Sequence, residues 1–477
     1  MAPTYTGIFL FIIGLCLWLS SIRWLLFYAV FLVPFMATSA INIENLKNGK
    51  GLQVALFMGA LLILRVIFNL FLSNRLKTTR KSLLFSVSIL IIGFIPAVIV
   101  PVFKTGIIYS NVNPFITDPS EIIQNKILNF EISTITQWVY IVFWLSFSWA
   151  ASQALKKSED TIHIVKTIMI SGLFVSLWGW FQVSIQIYGL EYPYWIFNNS
   201  AHPAASGYLQ KIGALYFPRM SSVVRERSFL GRFLVIILAF LLPFGLARVS
   251  LLNKKLDWAI LILVAISAIA TTSTTAYFGI AFLVLFMLLI GVKFKRISAK
   301  KLLFIIFIST AILLCIFYTF PTGKYVFEQF LLKKAQSFSF SVRSASIWTS
   351  MEALFLSPIF GLGMGSVTSY SLPFWLISNT GLIGFLSFTV FAIMIASISW
   401  HIMVDSYKKW YQSNHEKRRF CASTGAFLGW FSILFMDTLS GVSFHFGIFW
   451  LPTLVLFGLT TGRSSYTKRH MWREYNV

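Results

Sequence analysis

The sequence predicts an all-α, polytopic integral membrane protein with 12 to 13 transmembrane helices, and three observations support this fold class. Of the 477 residues, 57% are hydrophobic and only 11% are charged. The mean hydropathy of +0.78 exceeds that of soluble globular domains of this length. Apolar runs close to the roughly 20 residues that cross a bilayer recur along the whole chain. Since the polar segments between them are short, residues 1–477 are predicted to form a single transmembrane domain.

The predicted spans alternate with basic loops, which set the orientation of the chain. Under the positive-inside rule these loops lie in the cytoplasm, and this topology explains most of the net charge of +24 without nucleic acid as a partner. The C-terminus is then cytoplasmic. The first apolar run lacks a basic leader and a cleavage site, so it is expected to be retained as a span. The predicted spans are 5–20, 24–40, 51–73, 82–103, 135–153, 164–186, 229–247, 257–271, 274–292, 302–320, 372–400, 421–439 and 446–462, and the basic loops are 74–80, 154–160, 247–255, 293–301, 408–419 and 462–477.

The outward regions 104–134, 187–228 and 321–371 are longer than the other connections and are expected to carry short helices. We expect 187–228 and 321–371 to form an active site that faces the extracytoplasmic side. No metal site is predicted, because the three cysteines lie far apart in apolar runs without a C-x-x-C or Cys/His spacing. No cofactor is predicted either, since "GLGMGS" (361–366) only superficially resembles a dinucleotide fingerprint and follows no predicted strand.

The stretch "RMSSVVRERSFLGR" (219–232) places four arginines on the predicted outer side of the membrane. An arginine costs roughly 2.5 to 3.5 kcal/mol at the centre of a membrane helix, and on the outer side it opposes the topology signal. Planar guanidinium groups bind phosphate oxygens in pairs and stay protonated, so such a cluster suits a lipid-linked diphosphate. Snorkelling to lipid headgroups is the alternative. The candidate diphosphate ligands are Arg219, Arg225, Arg227 and Arg232.

A second outward arginine, Arg343, begins "RSASIWTSMEALFLSPIFGLGMGS" and could converge with the first cluster. If the reaction is glycosyl transfer, a base must take the proton of an acceptor hydroxyl while cations stabilise the departing diphosphate. Glu226 is the first candidate for this base, with a salt bridge to a neighbouring arginine as its alternative role. His445 in "GVSFHFGIFW" has a suitable intrinsic pKa, although a lone histidine among aromatic residues is more often structural.

Two ionisable residues stand out within the predicted spans, Arg65 and Asp437. An ionisable residue inside a membrane span is by default a pathway or site residue. Arg65 could equally anchor helices through backbone carbonyls, and Asp437 is expected near the outer interface. The several intramembrane acids of a proton-driven transporter are not seen in the sequence.

Three segments carry a resemblance to a known family. "PRMSSVVRERSFLGRFLVIILAFLLP" (218–243) resembles the pattern of an arginine, small residues, an acidic residue, Ser and a membrane helix of the O-antigen ligase and polysaccharide polymerase superfamily. "VRSASIWTSMEALFLSPIFGLGMGS" (342–366), followed by "NTGLIGFLSF", resembles that family's arginine, helix, Pro and Gly-x-Gly segment and its next membrane helix. "TTSTTAYFGIAFL" (271–283) resembles the small, Ser-rich start of the helix between them, so the resemblance covers 217–390.

The resemblance implies a metal-independent glycosyltransferase at the outer face of the bacterial plasma (inner) membrane, with an undecaprenyl-diphosphate-linked sugar as its donor. Arg219 and Arg343 match the family arginines expected to hold the diphosphate. Family ligases typically carry a histidine shortly before the helix that here begins near "WLISNTGLIG", whereas this chain has "SYSLPFW" (369–375) there. This departure favours a polymerase over a ligase.

The resulting hypothesis is an O-antigen, capsule or exopolysaccharide polymerase. Its partners would be undecaprenyl-diphosphate-linked oligosaccharides as donor and acceptor, membrane lipids and a chain-length regulator. A ligase that moves the finished glycan to a lipid, protein or wall acceptor is the second interpretation. A transporter or flippase for a lipid-linked sugar is the third, and clustered arginines in long outer loops count mildly against it.

Overall fold

The computed structural model describes residues 2–43, 50–73, 81–113, 121–155, 157–200, 208–212, 215–294 and 338–461. Helices dominate these ranges, and short strands lie between some of them. The helices are α1 (Tyr5–Ser20), α2 (Ile22–Phe31), α3 (Val54–Ser73), α4 (Lys81–Phe103), α5 (Ile132–Ala154), α6 (Thr161–Ile187), α7 (Tyr194–Phe197), α8 (Arg227–Leu246), α9 (Lys254–Ala270), α10 (Thr274–Lys293), α11 (Phe338–Leu356), α12 (Leu372–Lys408), α13 (Asn414–Leu439) and α14 (Gly447–Thr460).

The long helices pack as an antiparallel bundle, as α8 and α13 illustrate. Arg232 in the first turns of α8 lies beside Asp437 near the end of α13, with 2.9 Å between Nε and Oδ1. Near the other end of this helix pair, the Cys421 thiol donates to the carbonyl of Pro243 at 3.5 Å. We call the end that holds 219–232 and 437–447 the arginine end, and the end that holds 154–161 and 246–254 the opposite end.

The prediction of a membrane-embedded helical protein is confirmed, but the count of 12 to 13 spans is not. Among the described residues, 7 helices are long and apolar enough to cross a membrane, namely α3, α4, α6, α8, α10, α12 and α13. The apolar helices α1, α2 and α14 are shorter. The predicted span at 302–320 and the first part of the loop 321–371 lie outside the described residues.

The predicted span at 24–40 ends early. Helix α2 stops at Phe31, and Ser39–Ile43 forms a strand instead. Pro34 accounts for the stop, because proline lacks a backbone N–H and disfavours helical geometry at the residue before it. The rest of this apolar run, residues 32–40, is buried inside the protein.

Small antiparallel sheets lie in the connections at the arginine end, where the all-α prediction expected only short helices. One sheet has the order β1-β2-β3, and the others are the hairpins β4-β5 and β6-β7. The hairpin β6-β7 pairs Tyr208 with Arg219, so Arg219 ends a strand. The strands are β1 (Ala2–Pro3), β2 (Ser39–Ile43), β3 (Lys50–Gln53), β4 (Ile108–Val112), β5 (Ile123–Ile127), β6 (Tyr208–Ile212) and β7 (Leu215–Arg219).

Helix α12 is broken at Gly381, whose φ of 62° is a left-handed conformation that glycine adopts without strain. The segment "GLGMGS" lies beside this break, and the N–H of Gly363 donates to the carbonyl of Asn379 at 3.0 Å. A Cβ atom on Gly361 would collide with the backbone of Asn379. These glycines therefore permit close backbone packing beside a broken helix, where backbone groups that lose helical partners must find others.

Candidate active site

The residues between Arg219 and Arg225 form a buried turn that is attached to α6. The backbone N–H groups of Ser221 and Ser222 donate to Oε1 of Gln182 in α6, at 3.1 and 2.9 Å. Ser222 has a left-handed φ of 54°, and residues 220–224 are all buried. The contacts with Gln182 fix the backbone between Arg219 and Arg225, so this turn determines where the two arginines begin.

Arg232 is fully buried, and its charge is paired within the bundle. Its Nε lies 2.9 Å from Oδ1 of Asp437, and its Nη2 donates to the carbonyl of Gly441 at 2.9 Å. Asp437 also accepts hydrogen bonds from the backbone N–H and the hydroxyl of Ser443, each at 2.7 Å. The guanidinium carbon of Arg232 lies 4.9 Å from the centre of the Phe229 ring. These contacts hold the guanidinium in a single orientation at the arginine end.

One nitrogen of this guanidinium takes no part in these contacts. Nη1 of Arg232 is buried and has no hydrogen-bond partner among the residues that the structure describes. A buried donor without a partner costs about 1 to 3 kcal/mol, so this nitrogen calls for an explanation. Nη1 is therefore a candidate donor to an anion.

A chain of hydrogen bonds connects the helix of Arg343 to Arg232. The Ser346 hydroxyl donates to the carbonyl of Arg343 at 2.7 Å and accepts from the N–H of Tyr370 at 3.3 Å. The carbonyl of Tyr370 accepts from the N–H of Gly441, whose own carbonyl accepts from Arg232. Segments that are far apart in sequence thus meet at one place.

The charges at this place act on one another. Burial lowers the pKa of the Arg343 guanidinium and the positive charge of Arg232 lowers it further, whereas Tyr370 and Glu226 raise it. Burial raises the pKa of the Tyr370 hydroxyl, Glu226 raises it further, and Arg343 opposes both. Glu226 also acts on Arg232. We call these four residues, Arg232, Arg343, Glu226 and Tyr370, the arginine cluster.

The remaining predicted site residues lie around the arginine cluster. Glu226 is exposed just before α8, and its Oε2 accepts from the Ser228 hydroxyl at 3.5 Å. Arg227 is half-buried at the first position of α8, and its charge acts on Tyr277 of α10. Arg219 and Arg225 are also half-buried.

His445 lies in the connection between α13 and α14, packed among aromatic rings. Its ring centre is 5.9 Å from that of Trp375 and 5.4 Å from that of Phe446. Its Nδ1 is buried without a hydrogen-bond partner in the described part of the chain. Burial lowers the pKa of His445 from 6.5 to about 4, so the imidazole is neutral at neutral pH and only a weak base. Its catalytic role stays a prediction.

Sequence reasoning missed the partners that orient the arginines. Asp437 was recognised as unusual, but its pairing with Arg232 was not predicted, and Ser443 and Tyr370 were not singled out. A signal for the ion pair was present, since a buried charge in a membrane helix requires an opposite charge. In the hydrogen-bond chain that leads to Arg232, Tyr370 and Gly441 act through backbone groups, which have no sequence signature.

Comparison with protein-family models and with curated proteins finds no match to this chain. The function is therefore inferred from the chemistry of the arginine cluster, together with the resemblance of segments 218–243 and 342–366.

Proposed function

We propose that this protein is a surface polysaccharide polymerase of the O-antigen, capsule or exopolysaccharide type. It would transfer a growing glycan from undecaprenyl diphosphate to an undecaprenyl-diphosphate-linked repeat unit at the outer face of the plasma membrane. The observation that carries this proposal is the meeting of Arg232 and Arg343 at one end of an apolar helix bundle. Two guanidinium groups at one place suit a diphosphate better than a single phosphate or a neutral sugar.

The reaction assigns roles to Arg232, Arg343 and Glu226 of the arginine cluster. The acceptor hydroxyl attacks the anomeric carbon of the donor sugar, and the bond from that carbon to the diphosphate oxygen breaks. Negative charge grows on the departing diphosphate, where Arg343 and Nη1 of Arg232 would stabilise it. Because the ion pair with Asp437 already orients Arg232, this stabilisation needs little rearrangement during the reaction.

The proton of the attacking hydroxyl must reach a base. Glu226 is the first candidate, because its carboxylate is exposed and acts on both arginines of the cluster. His445 is the weaker candidate, since its burial disfavours the protonated form.

Arg219 would make a further paired contact with the diphosphate, and Arg225 and Arg227 would form a positively charged rim that attracts the donor and the acceptor to the site. The helix boundaries support the orientation required. The described helix ends that flank the basic loops lie at the opposite end of the bundle, so the positive-inside rule would put the arginine end outside. The C-terminus would then be cytoplasmic.

The test is a reconstituted reaction. The purified protein in liposomes is given an undecaprenyl-diphosphate-linked repeat unit, and the products are separated by size. We expect longer lipid-linked glycans with one undecaprenyl diphosphate released for each new bond. Transfer only to an added acceptor without a prenyl chain would favour the ligase, and movement of the donor across the bilayer without a new glycosidic bond would favour the transporter.

A test in the host complements this reaction. Arg219→Ala and Arg219→Lys variants are produced at equal membrane levels, and the surface glycan is separated on a gel. Loss of long chains with accumulation of single lipid-linked repeats in both variants would support a paired contact with the diphosphate. An unchanged ladder would remove Arg219 from the site.

A further inference from the structure

A cavity of about 710 Å³ lies at the opposite end of the bundle, away from the arginine cluster. We propose that this cavity binds the phosphate headgroup of an anionic membrane lipid. The proposal depends on the embedding of the protein in a membrane and not on the polymerase activity. Its lining includes Arg23, Trp24, Arg65 and Asp160.

Arg65 is the residue that most needs explanation. It lies within the apolar helix α3, where a charge is costly, and its guanidinium carbon lies 5.0 Å from the centre of the Trp18 ring. The ring compensates part of the charge by a cation–π interaction. Its Nε is buried without a hydrogen-bond partner among the described residues. A guanidinium held in this way has donors available to an anion in the cavity.

The cavity carries an excess of positive charge. Arg23 and Arg65 supply positive charges, whereas Asp160 is the carboxylate among the lining residues that the structure describes. Asp160 lies 3.9 Å from Nη2 of Arg23 and also accepts from the N–H of Lys157 at 3.1 Å. The pair between Arg23 and Asp160 is long, so the Arg23 guanidinium can bind phosphate oxygens together with that of Arg65.

The surroundings of the cavity favour a lipid as the source of the phosphate. Trp24 lines the cavity and is 65% exposed, and Phe71 on α3 is 81% exposed. Phe68, also exposed on α3, contacts Trp18 with 6.2 Å between ring centres. Exposed aromatic residues beside arginines are typical of the membrane interface. A headgroup in the cavity would leave its acyl chains against this apolar surface.

The proposal is tested with the full-length protein in detergent, stripped of lipid and titrated in native mass spectrometry. The probes are phosphatidylglycerol, phosphatidylcholine with the same acyl chains, and glycerol 3-phosphate. We expect phosphatidylglycerol to bind at least about tenfold more tightly than phosphatidylcholine, and the double variant R23A/R65A to lose this preference. The matched control is Arg418→Ala, which removes an exposed arginine that does not line the cavity.

A second variant guards against misfolding of the double variant. Asp160→Asn removes the carboxylate that competes with a bound phosphate, so it should tighten the binding of phosphatidylglycerol. A gain in affinity cannot arise from loss of structure. Equal binding of the two lipids, or unchanged binding by R23A/R65A, would overturn the proposal and leave the arginines as unspecific anchors. Binding of glycerol 3-phosphate as tight as that of phosphatidylglycerol would overturn the lipid as the source.

Discussion

Arg232 and Arg343 carry the same charge at the same end of the bundle, but the protein holds them in different ways. Arg232 is fully buried between α8 and α13, with the Asp437 carboxylate 2.9 Å away. Arg343 is half-buried on α11 and has no ion-pair partner in the part of the chain that the structure describes. The difference implies that Arg232 stabilises the fold in addition to its proposed contact with a ligand, whereas the charge of Arg343 is available to a ligand alone.

The largest effect is expected from removal of the carboxylate that pairs with Arg232. Asp437→Ala leaves the Arg232 charge buried without an opposite charge, and we expect the free energy of unfolding to fall by about 3 to 5 kcal/mol. The measurement is reversible thermal or denaturant unfolding in detergent. Asp437→Asn, which keeps a hydrogen-bond acceptor beside Ser443, should be destabilised less. Wild-type stability of both variants would show that the pair is not the anchor.

For Arg343, we expect a loss of activity without a loss of stability. Arg343→Ala should leave the unfolding midpoint nearly unchanged but reduce the turnover of the lipid-linked repeat by about 100- to 1000-fold, the typical loss for one transition-state donor. Arg343→Lys should recover part of this activity, because it keeps the charge but not the paired donors. A variant that unfolds as readily as Asp437→Ala would erase the distinction between the two arginines.

A smaller effect tests the support around Asp437. Ser443→Ala removes the hydroxyl that donates to Asp437 at 2.7 Å but keeps the backbone N–H contact. We expect a loss of about 1.5 to 3 kcal/mol in the free energy of unfolding, the usual contribution of a hydrogen bond to a charged group. Ser432→Ala is the matched control, since the Ser432 hydroxyl is buried in α13 without a hydrogen-bond partner in the described residues. Equal effects of both changes would contradict the assigned role of Ser443.

The pH dependence of stability tests the burial of His445, which lies in the same connection as Ser443. The pKa of His445 is lowered to about 4 in the folded protein, from 6.5. Its contribution to stability is therefore complete above pH 6.5 and is lost as the pH falls toward 4, because the unfolded chain binds the proton more readily. The difference in unfolding midpoint between wild type and His445→Gln should shrink over this range. A constant difference would contradict the burial of the imidazole.

The long helices could be predicted from the sequence because their apolar runs are continuous. Helix α8 was predicted at 229–247 and is found at Arg227–Leu246, and α9 was predicted at 257–271 and is found at Lys254–Ala270. The hairpin strands, by contrast, are short segments in polar connections and have no long hydrophobic pattern. The strand Ile123–Ile127, whose side chains are all exposed, shows why alternation could not reveal it.

For the site, the sequence could predict which residue types take part but not which of them contact one another. The arginines could be selected because a charge beside an apolar run is costly, and this physical argument applies to each residue separately. That Arg232 faces Asp437 while Arg343 does not depends on helix packing and on backbone contacts through Tyr370 and Gly441. Such contacts between distant segments cannot be derived from local composition.

The most direct test of the arginine cluster is the equilibrium binding of undecaprenyl diphosphate and undecaprenyl monophosphate to the purified protein. The wild-type protein should prefer the diphosphate by at least about tenfold, the value of one additional charge-assisted contact. Arg343→Ala should lose that preference, whereas Arg418→Ala should keep it. Wild-type affinity and preference in Arg343→Ala would contradict the assignment of the cluster as a diphosphate site.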